Sequence, residues 1–287
     1  SEQELQEVFA LSEEYKQFIS ENKTERMCVS SAVAMAKAKG YRDLREVIAA
    51  KETLSPQDKV YLSMMDKSIV LFHIGNRPIE EGMHILGAHI DSPRLDLKQN
   101  PLYENSELSY LDTHYYGGIK KYQWVTLPLA LHGVIVKKDG TKVEVHIGEK
   151  DDDPVFVVSD LLVHLSGDQM QKKASNVIEG EDLNVTFGSM PLKEEEKDKV
   201  KANILRLLKE SYDVEEDDFV SAEIEVVPAG KARDLGLDRS MVIGYGQDDR
   251  VCAFTSLKAI LEMEQVEKTA VCLLVDKEEV GSQGATG

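Results

Sequence analysis

Three stretches of this sequence set acids, and in one case a histidine, directly after an apolar run. They are "ILGAHIDSP" with His89 and Asp91, "VIGYGQDDR" with Asp248 and Asp249, and "CLLVDKEEVGS" with Glu278 and Glu279. Each apolar run reads as a strand, and open α/β sheets bind ligands beyond the carboxyl ends of their strands. Three such ends at one sheet edge would gather negative charge, and a pair of divalent metal ions would cancel it. Imidazole with carboxylates and no thiolate suits zinc in an open catalytic site, with manganese or cobalt as alternatives. Each motif alone has a plainer explanation. His89 fits a structural histidine, Asp248-Asp249 a helix N-cap, and Glu278-Glu279 a solvated strand end. The repetition of one design three times favours the metal reading.

The spacing adds detail. Adjacent residues leaving a strand point in different directions. Glu278 and Glu279 are therefore expected to divide the work, one ligating a metal and the other holding a water. Asp91, two residues after His89, is placed to accept the free ring N–H and fix the tautomer.

Elements that position these groups are legible around them. Val8, Leu11, Tyr15, Phe18 and Ile19 recur at helical spacing, as do Met27, Val33, Ala34 and Met35 in a second segment that Gly40 closes. "SIVLFHIG" and "MHILGAH" read as strands. "LALHGVIVKKDGTKVEVHIGE" carries two β-rich runs around Asp139-Gly140, a hairpin signal. Val200, Ile204, Leu207 and Leu208 mark a solvent-facing helix, and "FVSAEIEVV" alternates as a half-buried strand. "VCAFTSLKAILEME" reads as a helix, and "TAVCLLVD" as a parallel strand covered on both faces. The expected fold class is α/β, with a catalytic domain over residues 1–95 and 233–287. A β-rich insertion over 96–232 interrupts it.

Composition bounds the function. The chain has 287 residues, 42% hydrophobic and 30% charged, ordinary for a globular protein. A net charge of −18 argues against nucleic acid or an anionic membrane as partner. No apolar run approaches the roughly 20 residues of a membrane helix, and the acidic amphipathic start does not read as a signal peptide. Three cysteines in apolar stretches, without close pairing, point to a reducing cytoplasm.

The motifs also resemble a known family. "GAHIDSPRLDLK", "GYGQDDRVCAF" and "DKEEVGSQGA" are similar to the aspartyl aminopeptidase family of co-catalytic zinc peptidases. "AVAMAKAKGYRDL", "YYGGIKKYQW", "LLVHL" and "LGLDRSMVIGYG" extend the resemblance, in order, over nearly the whole chain. It implies a three-layer α/β/α metallopeptidase domain interrupted by an assembly domain, and a dodecameric homo-oligomer acting on peptides. It implies His89 as ligand of one zinc, Asp248 as the carboxylate bridging two, and Glu279 as ligand of the second. Glu278 resembles the general base, which would pass the water's proton to the leaving amine, and Asp91 the partner of His89. His164 resembles a histidine that reaches a neighbouring subunit's substrate, counted in some descriptions as a metal ligand.

A preference for acidic N-terminal residues is part of the same pattern, but the residues after "YYGGIKKYQW" depart from it. The pattern also includes a further Asp and a final His ligand beyond Glu-Glu, and residues up to Gly287 contain neither. The expectation is that a longer polypeptide supplies them and that residues 1–287 alone bind metal weakly. The alternatives are the related tetrahedral or deblocking aminopeptidases, and a non-catalytic assembly or cargo protein of the same fold. "HIDSPRLDLK" and "LLVHL" favour the first reading.

Overall fold

The computed structural model describes residues 1–287 and has a mixed α/β fold. Two compact units make it up, 1–92 with 231–287, and 93–230. The crossings fall at Pro93 and Gly230, slightly earlier than the texture of the sequence placed them. Both are residue types that interrupt regular structure.

The first unit starts with α1 (Glu2–Glu21), opened by a capping box between Ser1 and Glu4. Helix α2 (Glu25–Ala38) starts from Thr24, whose side chain accepts from Met27 N–H. Next come β1 (Arg42–Asp43), α3 (Leu44–Ala49), β2 (Lys59–Met64), β3 (Ser68–His73) and β4 (His84–His89). Only the second half of α1 is packed: Tyr15, Phe18 and Ile19 are buried, whereas Val8 and Leu11, read as part of the same face, are exposed.

The second unit holds β5 (Arg94–Asn105), β6 (Leu108–Tyr116), β7 (Leu129–Val136), β8 (Lys142–Ile147), β9 (Val185–Gly188), α4 (Lys199–Tyr212) and β10 (Ala222–Pro228). They form one antiparallel sheet in the order β8-β7-β10-β5-β6-β9. The β7–β8 hairpin turns at Asp139-Gly140: Gly140 takes φ +86°, and Asp139 accepts the Thr141 N–H at 2.9 Å. One face of the sheet is apolar and packs Leu97, Leu111, Leu131 and Ile147 against α4 and Phe219. The other face carries a polar row in register across five strands: His114, Asp96, Glu225, His132 and His146. Directly opposed residues share a face, so this row follows from pairing alone. "VFVVSDLLVHL" forms no regular strand; it makes isolated bridges at Phe156 and Val158 and then a 3₁₀ turn over Val163–Leu165.

The chain then returns to the first unit through β11 (Arg233–Leu235), β12 (Met241–Ile243), α5 (Gln247–Glu262) and β13 (Ala270–Val275). The main sheet runs β1-β2-β3-β13-β4. Strand β12 is not in it. It pairs only with β11 in a two-stranded ribbon, so "VIGYGQDDR" is not a third strand of the sheet as expected. Alternate residues Ala270, Cys272 and Leu274 of β13 join Ile69 and Leu71 of β3 in the core beneath α1, α2 and α5. On the opposite face Leu273 and Ile85 are 37% and 57% exposed, so β13 is fully covered on one face rather than both. Strand β13 is antiparallel to β3 and parallel to β4, with Val275 opposite His89. That register sets the end of β13 beside the end of β4.

His73 sits in this core with no solvent exposure and no hydrogen-bond partner on either ring nitrogen. Burial, reinforced by the Lys59 charge, holds its pKa below the ordinary value. The unfolded chain then binds the proton more readily than the folded one. The stability linked to His73 is present above about pH 6.5 and is lost as pH falls below it. His73→Leu should therefore flatten the fall of melting temperature between pH 7.5 and 5, read by circular dichroism. Equal slopes in the two proteins would rule this out.

Candidate metal centre

Residues from three segments of the first unit converge at the carboxyl ends of β4 and β13. His89 ends β4. Its Nε2 lies 3.2 Å from Asp248 Oδ1 and 3.8 Å from Glu278 Oε2. Its Nδ1 lies 3.0 Å from the Asp91 carbonyl and 3.3 Å from the Asp91 carboxylate. The ring is thus oriented by backbone as much as by the side chain that the sequence singled out. Ligand atoms of His89, Glu278 and Glu279 all lie within 4.8 Å of one another.

Asp91 has a larger part than its spacing suggested. It is fully buried, and its two carboxylate oxygens accept the backbone N–H groups of Glu278 and Glu279, each at 3.2 Å. One carboxylate therefore braces His89 and ties the loop after β4 to the loop after β13. Its burial makes it a positioning residue; it has no exposed surface to offer a substrate.

Glu278 and Glu279 do not continue the strand. β13 stops at Val275, and the two residues sit in a 3₁₀ turn, Glu278–Val280. Strand alternation does not apply there, and both side chains reach the same spot as His89, contrary to the divergence expected. Lys277 takes φ +68° to make the turn. Asp276, fully buried, closes the loop: it accepts Lys277 N–H at 2.8 Å and the Thr286 hydroxyl at 3.0 Å.

Asp248 comes from the ribbon side. It lies before the regular part of α5, since Asp248 and Asp249 have non-helical backbone angles, and its side chain is exposed. Two residues missed in the sequence hold it in place. Ser92 Oγ donates to the Asp248 carbonyl at 3.1 Å, and the fully buried Arg250 donates from Nε to the Ile90 carbonyl at 2.9 Å. Gly246, at φ +80°, lets the chain pass: a Cβ there would lie 2.4 Å from Arg250 Nη1. The only hint was an arginine directly after two aspartates, and nothing in the spacing shows that it turns inward. His164 belongs to the second unit, on the exposed turn Val163–Leu165.

The electrostatics ask for a cation. The Asp91 carboxylate beside His89 raises its pKa to about 9, against the opposing effect of burial. Burial pushes the Glu279 carboxyl up; the His89 charge opposes this, and the charges of Asp91, Asp248 and Glu278 add to it. Three carboxylates and one imidazole at this spacing, without a thiolate, match the oxygen and nitrogen donors of a zinc site. The residues therefore fit zinc. Four donors do not fill the shells of two ions at roughly four ligands each.

Comparison with known proteins agrees. Residues 18–287 match the family model of the aminopeptidase I zinc metalloproteases, M18. A probable M18 family aminopeptidase 1 from Clostridium acetobutylicum is 63% identical over all 287 residues, and the chain spans 62% of that relative's length. The crystal structure of an M18 aminopeptidase from Thermotoga maritima superposes with a TM-score of 0.93 at 45% identity, covering 98% of this chain and 61% of that one. The mApe1 dodecamer of S. cerevisiae shares the fold, with a TM-score of 0.72 at 19% identity over 96% of this chain and 63% of that one. With residues 18–287 matched by the family model and a relative 63% identical over all 287 residues, this chain belongs to the M18 family of zinc metalloproteases.

Proposed function

We propose that the polypeptide to which these residues belong is a zinc aminopeptidase that hydrolyses the N-terminal peptide bond of peptides. The gathering of Asp248, Glu278 and Glu279 around His89 carries the reading. His89, Asp248 and Glu279 would hold the metal, and the family resemblance gives Asp248 the part of a carboxylate shared between two ions. Bound zinc polarises the scissile carbonyl and lowers the pKa of water toward ~7. Glu278, whose side chain is 55% exposed beside His89, takes the water's proton and returns it to the leaving amine. The cationic α-amine of the peptide is attracted to the same group of carboxylates, which selects chain ends. Ligands that complete the two-metal shell are assigned to segments outside residues 1–287, consistent with the greater length of the relatives.

The functional form is a homo-oligomer, and His164 reaches a neighbouring subunit's substrate. Leu161, Leu162, Val163, Leu165 and Met170 around it are all more than half exposed, an apolar surface that suits burial against another copy. The S. cerevisiae relative is a dodecamer. The three free cysteines suit the reducing cytoplasm.

Purified polypeptide of the relatives' length, loaded with zinc, should cleave peptides with a free N-terminus and leave N-acetylated ones intact. Peptides starting with Asp or Leu, compared in the same assay, report whether acidic residues are preferred. Mixing His164→Ala subunits with Glu278→Gln subunits should restore part of the activity that each has lost. Equal cleavage of blocked peptides would overturn the aminopeptidase reading. No restored activity in verified mixed oligomers would overturn the role of His164.

A further inference from the structure

The hairpin that the sequence marked by Asp139-Gly140 carries a group of side chains unused by the reaction above. His132 on β7 and His146 on β8 are cross-strand partners. Their Nδ1 atoms lie 3.1 Å apart. On its other side, His132 Nε2 lies 3.0 Å from Glu149 Oε1. Glu149 is itself fixed, its second oxygen accepting the Gly230 N–H at 3.1 Å. His146 Nε2 lies 3.7 Å from Glu144 Oε2. His132 is buried, whereas His146 is exposed on β8, the edge strand of its sheet.

The chemistry follows from the tautomers. A carboxylate beside Nε2 favours the proton on Nε2, and a neutral ring with that proton has its lone pair on Nδ1. Glu149 favours that tautomer in His132, and Glu144, at 3.7 Å, lies on the same side of His146; with both rings in it, the Nδ1 lone pairs face each other. Two facing lone pairs repel unless one ring carries its proton on Nδ1 and donates it to the other, or a cation stands between them. One shared proton is enough in the ion-free protein. A divalent transition metal meets the same demand and adds bonds to both nitrogens.

We propose that His132 and His146 form an accessory transition-metal site, taking one Cu²⁺, Ni²⁺ or Zn²⁺ ion through their Nδ1 atoms, with Glu149 as the positioning residue behind His132. Two nitrogens each about 2.0–2.1 Å from one ion stand roughly 2.9 Å apart at the right angle of square-planar Cu²⁺ or Ni²⁺ and roughly 3.4 Å apart at the tetrahedral angle of Zn²⁺. The present 3.1 Å lies between the two, and the exposed His146 side chain is free to move by a few tenths of an ångström. Water completes the shell from the open side of the edge strand. Imidazole donors without thiolate place Cu²⁺ first in affinity. None of these residues belongs to the His89 cluster, and the ion would fasten the edge strand β8 to β7.

The test is Cu²⁺ titration of the zinc-loaded polypeptide, followed by electron paramagnetic resonance and equilibrium dialysis. One equivalent should bind with couplings from two imidazole nitrogens. His146→Ala should remove that equivalent and its couplings, while Glu279→Ala should keep them. Glu149→Gln should weaken it by about 10–100-fold, the usual effect of losing a carboxylate behind a ligating histidine. Because His146 is exposed, its variant tests the site without disturbing the core. Undiminished Cu²⁺ binding in His146→Ala, or no Cu²⁺ bound beyond the His89 cluster, would overturn the proposal and leave only a proton-sharing pair.

Discussion

Glu278→Gln is expected to keep bound zinc and lose turnover by about 10²–10⁴-fold, the usual cost of removing a general base. Glu279→Ala is expected to lose metal instead. Both carboxylates lie within ligand reach of His89, so distance alone assigns neither role. Their environments differ. The Glu278 side chain is 55% exposed at the rim, where water and peptide arrive. Glu279 is less exposed, and burial raises its carboxyl. A partly buried carboxylate under repulsion from its neighbours gains most from a coordinated cation. Gln in place of Glu278 keeps the shape and removes only the base. Metal analysis beside kcat, on polypeptide of the relatives' length, separates the two. Equal zinc loss in both variants would refute the assignment.

Asp91→Ala is expected to lower metal affinity by at least 10–100-fold, the range for losing a group that orients a metal-bound histidine. The effect should exceed that of an ordinary orienting carboxylate because Asp91 holds three things together. It braces His89, and it accepts the N–H groups of both Glu278 and Glu279. Its removal leaves two backbone donors without that acceptor, at about 1–3 kcal/mol for each one that stays buried. Asp91→Asn keeps one acceptor oxygen but turns its amide toward the other N–H, so it should fall between wild type and Ala. Zinc affinity by competition with a chelator, with melting temperature measured alongside, checks the order. An Asp91→Ala variant with wild-type affinity and only a lower melting temperature would show that the carboxylate serves folding and not the site.

Much of this site was legible in the sequence for a physical reason. Apolar runs of five or six residues that stop at acids read as strand ends, because a buried strand does not carry unpaired charge within its length. That placed His89 and the Glu278–Glu279 pair at one edge of a sheet; the continuous apolar run of β13 did not show which face is covered, and only the structure puts Ala270, Cys272 and Leu274 in the core. The Asp139-Gly140 hairpin was equally local, set by a turn whose positive φ Gly140 takes without strain.

Other features were decided by the tertiary structure, because they depend on partners far away in sequence. Strand register alone puts Val275 opposite His89. The ribbon membership of β12 could not be read from "MVIGYG", since a short apolar run does not name its partner. The second role of Asp91 needed backbone donors nearly two hundred residues away, and the inward turn of Arg250 needed the Ile90 carbonyl. The pairing of His132 with His146 was implicit in a hairpin, but Glu149 behind His132 is held by the Gly230 N–H, 81 residues on. Sequence fixes which local elements form, through periodicity and turn chemistry. Which charged groups meet is fixed only when long-range packing closes, and that is where the chemistry of this chain resides.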